Sequence, residues 1–199
     1  MSSDFTERSQ DPSEQSPDLT EHALGSVRVY DGALLQVYRD RVRLPSGETS
    51  AREWIRHPGA AAVVPLFADR RVMLLRQFRY APRRLFEEVP AGKLDAHGED
   101  PRDAARRELL EETGLEAAQW TPLGVTYPAI GYSDEVIHLF LAESLRSAAE
   151  AAPEPDEFVE PFLIPLAEAA ERARQGGFPD AKTCTALLLA EAHVARRSG

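Results

Sequence analysis

One stretch limits what this chain can fold into more than any other: GEDPRDAARRELLEETGL, from Gly98 to Leu115. It carries its own start and stop signals. Asp100 is suited to an N-cap, Pro101 to the first helical position, and Gly114 to the position just past a helix end. The spacing predicts a helix over 101–113. On that helix Glu108, Glu111 and Glu112 stand at i, i+3 and i+4 and share one face. Glu99 lies just before the first turn and can fold towards the same face. Like charges so placed repel by roughly a few tenths of a kcal/mol per pair. The face is therefore either solvated or built to hold a cation. With neither His nor Cys among the donors, the cation it suits is hard, Mg²⁺ or Mn²⁺. Ala105 and Leu109 fall on a neighbouring face and can anchor the helix to a sheet. Arg107 can brace a carboxylate with its guanidinium fork.

The segments around this helix predict an α+β fold. Residues 1–26 are rich in Ser, Asp, Glu, Gln and Pro and read as a disordered tail, with order beginning near Val27. In VRVYDGALLQVYRDRVRL, apolar and polar residues alternate around Asp31-Gly32, and Pro45-Ser46-Gly47 marks a turn. With AREWIRH, these residues form N-terminal antiparallel strands over 27–57. A second domain is expected over 58–199. There AAAVVPLF and RVMLLRQFRY read as a hairpin around Asp69-Arg70, and LFEEVPAGKL as a short strand entering a loop. After the helix come strands at 119–127 and 136–142, an Ala/Glu/Pro-rich loop at about 144–157, and a strand FVEPFLIPL. A helix ended by Gly176-Gly177 follows, and then a last helix that Asp180 can cap. Strands and helices without regular alternation suggest a sandwich built on a mixed sheet.

Composition narrows the function. A net charge of −10 over 199 residues, with no Lys/Arg cluster, argues against nucleic acid as a partner. The chain has no apolar run of membrane-spanning length and no signal-peptide pattern. Its single cysteine, Cys184, leaves no internal disulfide and no cysteine-based zinc site, and a reducing cytosol is the expected compartment. Cys184 reads as helix packing, His57 as a structural residue at a strand end, and His138 as a satisfied histidine in an apolar strand.

The positions Gly92, Glu99, Arg107, Glu108, Leu109, Glu111, Glu112, Gly114 and Leu115 resemble the Nudix box, G-x5-E-x7-R-E-U-x-E-E-x-G-U with U aliphatic. At average residue usage a chance match at its six Glu, Arg and Gly positions from 99 to 114 arises on the order of 10⁻⁸ per window, which outweighs the reading of a merely solvated stripe. There is one departure: six residues rather than five separate Gly92 from Glu99, an extra residue near His97 that a loop can absorb. The flanking RQFRY, FEEVPAGKLD, GYSDE and DEFVE are similar to segments of the ADP-ribose pyrophosphatase branch. A proline common before the glycine of the GYSDE segment is here replaced by Ile130, with Pro128 two residues earlier.

The resemblance implies an α/β/α Nudix sandwich and Mg²⁺-dependent hydrolysis of ADP-ribose or a related ADP-sugar to AMP and a sugar phosphate. It implies that the Ala91 carbonyl and the carboxylates of Glu99, Glu108, Glu111 and Glu112 form the metal set. Glu111 and Arg107 then assist catalysis, and Arg52, Arg79 and Glu88 contact substrate. A glutamate on a loop after the box acts as general base. Glu157 is the choice here, with Glu154, Asp156 and Glu160 as competitors. Tyr30, Tyr38 and Trp54 are candidates to stack on the base. The resemblance also implies a homodimer formed through the N-terminal strands. Two other readings stand beside it: a Nudix hydrolase of another nucleoside diphosphate sugar, NADH or a dinucleoside polyphosphate, and a non-catalytic nucleotide-binding module.

Overall fold

The structure, a computed structural model, describes residues 18–95, 98–148 and 158–198. The chain divides into two compact units, with the break between Trp54 and Ile55.

The N-terminal unit contains a three-stranded sheet in the order β1-β2-β3, formed by His22–Asp31, Gln36–Arg43 and Thr49–Arg56. β1 begins upstream of Val27, so order starts earlier than composition suggests. The reason is pairing: His22 and Ala23 are already in register with Arg43 and Val42. The unit break also falls inside β3 rather than at residue 57. The turns are those expected. Gly32 donates to the Leu35 carbonyl at 2.9 Å, and Gly47 adopts φ +89° after Pro45-Ser46. Tyr38 stacks on Trp54 with ring centroids 5.0 Å apart, and the Trp54 indole N–H donates to Asp40 Oδ2 at 3.0 Å. Val27, Val29 and Tyr30 remain exposed on β1.

The second unit is an α+β sandwich, as the sequence predicts. A four-stranded mixed sheet runs β7-β4-β9-β8, formed by Ala91–Lys93, Ala60–Pro65, Ile137–Ser147 and Leu115–Thr126. β4 pairs parallel to β9 and antiparallel to β7. A second sheet runs β10-β5-β6, formed by Val159–Pro165, Arg71–Arg79 and Arg84–Glu88. Every residue of β4 is buried, which is why it reads as an unbroken apolar run. Its even-numbered residues Ala62 and Val64 pack with Leu74, Leu139, Leu141 and Leu187 in one core cluster. Ala61 and Val63 face the other way, against Ala104, Ala105 and Leu109 of helix α1, Pro101–Thr113. Helices α2, Leu166–Arg174, and α3, Ala181–Ser198, complete the opposite layer.

Three expectations are corrected. β4 and β5 turn sharply at Asp69-Arg70, with φ +66° at Arg70, but they share only a bridge between Leu66 and Val72. They cannot zip into a hairpin because β7 and β9 already occupy both edges of β4. Second, β8 starts directly after Gly114, and β9 runs on to Ser147, into the segment expected to be loop. These ends are polar and gain their structure from pairing, Leu115 with Ser147 and Glu116 with Arg146. Likewise LFEEVPAGKL is two strands, not one. β6 ends at Glu88 in one sheet and β7 begins at Ala91 in the other, with Val89-Pro90 crossing between them.

Candidate active site

The site is built where that crossing meets α1. The helix is capped as its sequence predicts. The Asp100 side chain accepts from the Arg102 amide at 2.8 Å, and Gly114 closes the far end at φ +67° with its N–H on the Leu110 carbonyl. Ala104, Ala105 and Leu109 sink into the sheet. That anchoring turns Glu108 and Glu112 inward, and each is only 7% exposed. Buried carboxylates are expensive unless something of opposite charge or a good donor meets them. Glu112 Oε2 accepts from the Ala91 amide at 2.9 Å. Glu108 lies against Gly92 so closely that a Cβ at position 92 would overlap its carboxylate. The glycine of the motif is thus required for space.

Arg107 stands among the remaining acids. Its Nη1 donates to Glu108 Oε1 at 2.7 Å and to Glu111 Oε2 at 3.1 Å. Its Nε and Nη2 hold Glu99 at 3.2 and 3.1 Å, and Nη2 also reaches the Lys93 carbonyl at 3.0 Å. The bond from Arg107, helped by the Asp95 amide, holds the Glu99 carboxyl below its ordinary range. In return Glu99, Glu108 and Glu111 push the Arg107 guanidinium further towards permanent charge. The repulsion expected among the glutamates is thus relieved by one residue of the same helix.

A second charged network begins at Glu88, the last residue of β6. Arg79 grips both its oxygens, Nε and Nη2 each at 2.8 Å. Lys182, from the first turn of α3, bonds Glu88 Oε2 and also Asp180 Oδ2, the latter at 2.9 Å. Burial alone would raise the Glu88 carboxyl. Arg79 and Lys182 outweigh it and leave the group below the ordinary glutamate range. Next door, the Val89 amide donates to the fully buried Thr183 hydroxyl at 2.9 Å.

The structure therefore brings Ala91, Glu99, Arg107, Glu108, Glu111 and Glu112 into one neighbourhood, and joins Arg79 to Glu88. Arg52 belongs to the N-terminal unit, where its Nε donates to Glu21 at 2.8 Å. Glu157, Asp156 and Glu154 lie outside the described residues, as does His97. Glu160 pairs with Arg76 at 3.3 Å. His57 is structural: its Nδ1 accepts from the Gly59 amide at 3.1 Å, and its own amide donates to Asp134 of the GYSDE segment at 2.7 Å. Sequence reading missed Lys182 and Thr183. A signal was present, since Lys182 falls four and eight residues before the buried Ala186 and Ala190, a place where a solvated lysine does not belong.

The acidic set fits a hard divalent cation on its donor chemistry: carboxylate oxygens, two of the carboxylates buried on one helix face, beside a glycine that leaves them room. Among the described residues no three acidic or imidazole side chains close around a single point, because Arg107 is interposed. The donors that fit are thus the two buried carboxylates, Glu108 and Glu112, rather than a cage of side chains.

Comparison with known proteins agrees with this geometry. The profile described as NUDIX domain matches residues 56–187. The ADP-ribose pyrophosphatase of Bacillus subtilis (strain 168) is 37% identical over 170 residues, which cover 85% of this chain and 91% of that protein. The methanol dehydrogenase activator of Bacillus methanolicus is 38% identical over 170 residues, covering 84% and 90%. A solved structure described as an ADP compounds hydrolase superposes with a TM-score of 0.77 at 24% identity, covering 89% of this chain and 95% of that one, a likeness of fold. With its box intact from Glu99 to Leu115 and the domain profile spanning most of its length, the chain belongs to the Nudix family.

Proposed function

We propose that this protein is an Mg²⁺-dependent pyrophosphatase that hydrolyses ADP-ribose or a related ADP-sugar to AMP and a sugar phosphate. The observation that carries the reading is the pair of buried carboxylates, Glu108 and Glu112, set on one helix face against Gly92 and Ala91. The likeness to an ADP-ribose pyrophosphatase over most of both chains supports the substrate.

In this mechanism Glu108, Glu112 and the Ala91 carbonyl hold the cation, with Glu99 and Glu111 completing the acidic set. Mn²⁺ suits the same donors. A divalent cation bound there neutralises pyrophosphate charge and makes a water more acidic. Arg107 keeps Glu99 and Glu111 from swinging away and offsets their mutual repulsion. Arg79, held by Glu88, presents its remaining N–H groups to a phosphate oxygen. By resemblance, Arg52 is proposed as a further substrate contact. Glu157 accepts the proton of the attacking water. The leaving group departs as the second phosphate monoester.

The exposed Val27, Val29 and Tyr30 of β1 support assembly into a homodimer through the N-terminal strands. Light scattering at micromolar concentration is expected to give twice the chain mass. No helix among the described residues is long and apolar enough to cross a membrane. The lone Cys184 supports a reducing, cytoplasmic setting.

The test is incubation of the purified protein with Mg²⁺ and, separately, ADP-ribose, other nucleoside diphosphate sugars, NADH and diadenosine polyphosphates, with products resolved by chromatography. Conversion of ADP-ribose to AMP and ribose 5-phosphate, faster than turnover of the rest, is the expected result. Preference for another compound keeps the glutamates and discards the substrate. No turnover of any compound favours a binding module.

A further inference from the structure

The first turn of α3 lies far in sequence from the box, yet it reaches the stretch that carries the site. Four polar contacts, made by Asp180, Lys182 and Thr183, do this. Asp180 accepts from the Thr183 amide at 3.1 Å, which caps the helix, and also holds the Lys182 ammonium. Lys182 holds Glu88, and Thr183 holds the amide of Val89. Lys182 is not a surface lysine, for its side chain is 12% exposed. It has three donors, and two of them are directed at carboxylates.

Arg79 has five N–H donors in a rigid plane. One on Nε and one on Nη2 are committed to Glu88. The Nη1 pair and the second Nη2–H point outward from Glu88, on a side chain that is 42% exposed. The direction of that outward edge is set by the Glu88 carboxylate, because a bidentate pair fixes both members. Glu88 in turn has its second oxygen fixed by Lys182. Glu88 and Asp180 are bridged by Lys182, and Arg79 pairs with Glu88. The fields of Glu112 and, less strongly, of Asp180 also reach Arg79. If the Lys182 charge were lost, Arg79 would face Glu88, Glu112 and Asp180 without the ammonium that now holds Glu88 and Asp180, and it would be drawn further towards them.

We propose that Lys182 is a positioning residue: through Glu88 it sets the direction in which Arg79 offers its outward N–H groups to an anionic phosphate of the substrate. This rests on the pyrophosphatase reading above. It places the first turn of α3 in the substrate-binding apparatus, although Lys182 itself touches no substrate.

The test is a double-mutant cycle of Lys182→Met with Arg79→Ala, using whichever compound of the panel the wild-type protein turns over fastest. Met keeps the stem and removes the charge. In the wild-type background K182M is expected to raise KM about tenfold with kcat within about threefold, because the misplaced arginine binds phosphate rather than shaping the chemistry. In the R79A background the same change is expected to alter kcat/KM by less than about twofold, since the residue through which Lys182 acts is gone. Equal losses in both backgrounds, or no loss in either, would overturn the proposal. If K182M does not fold, Asp180→Asn releases Lys182 from the other side while keeping a cap, and the same non-additivity with Arg79 is expected at smaller amplitude. If the wild-type protein turns over nothing, the functional reading fails, and the positioning is read instead from the Arg79 Nε–H resonance in NMR spectra. A slowly exchanging, downfield signal in the wild type that is lost in K182M upholds it, and a signal unchanged in K182M overturns it.

Discussion

Two helices grip the Glu88–Ala91 crossing, and they use different materials. α1 presents carboxylates to it: Glu112 takes the Ala91 amide, and Glu108 packs on Gly92. α3 presents an ammonium and a hydroxyl: Lys182 takes the Glu88 carboxylate, and Thr183 takes the Val89 amide. On α1 the groups that hold the backbone are also those proposed to hold the cation, so structure and chemistry are inseparable there. On α3 the holding groups only hold. Changes on α1 are therefore expected to fall on turnover, and changes on α3 on stability and substrate affinity.

The strongest way to break this contrast is Glu112→Gln. The amide oxygen can still accept from Ala91, but the charge is gone. Turnover is expected to fall by about 10³-fold, several kcal/mol of charge stabilisation, while the thermal midpoint stays within a few degrees. Near wild-type kcat in a steady-state assay would remove Glu112 from the proposed cation site. Next comes Gly92→Ala. Its methyl must displace the buried Glu108 carboxylate, so both properties are expected to suffer, with stability lower by about 1–3 kcal/mol in urea titration. On the α3 side, Thr183→Val keeps the shape and leaves the Val89 amide buried without its acceptor. A loss of about 1–3 kcal/mol is expected, with kcat largely kept and recovery in Thr183→Ser. A collapse of kcat with stability unchanged would erase the distinction between the helices.

The smallest effect sharpens the same contrast from outside. Glu87 is the neighbour of Glu88 but pairs with Arg172 at 2.6 Å and Arg76 at 3.2 Å. Burial pushes its carboxyl up, and these two arginines overcome that, leaving it below the ordinary value of 4.5. A depressed folded value means the folded state binds fewer protons than the unfolded one there. This contribution is fully present above about pH 4.5 and is lost as pH falls through the lowered folded value. Glu87→Gln is expected to flatten the acid limb of a stability-against-pH curve without altering kcat at neutral pH.

The sequence made α1 legible because its signals are local. A cap, a proline, a left-handed glycine and carboxylates at helical spacing all lie within one short window, and the structure places α1 at Pro101–Thr113 as those signals require. The apolar run of β4 was equally plain, but its partners were not. Whether β5 pairs with it depends on who has already taken its edges, and β7 and β9 come from elsewhere in the chain. The polar end of β9 was illegible for the same reason, since its order comes from pairing with β8. In the site, Arg107 was legible as a brace for one carboxylate, though its reach to Glu99, Glu108 and Glu111 together was not. Arg79 and Glu88 were named through resemblance alone. Lys182 was hidden because its partner Glu88 is 94 residues away, and only its misplacement on an apolar stripe hinted at burial.

The crossing at Val89-Pro90 also has a consequence for how length can change in this chain. Only these two residues separate a strand of one sheet from a strand of the other, and each spans at most about 3.5 Å. There is no slack to take up an insertion. One added residue would invert the alternation of β7 and turn the face that meets Glu108 towards the other side of the sheet. A few residues later, between Gly92 and Glu99, the chain carries one residue more than the family pattern, and the helix beyond it is unaltered. Tolerance to added length therefore changes abruptly at Gly92, from none on its N-terminal side to at least one residue on its C-terminal side.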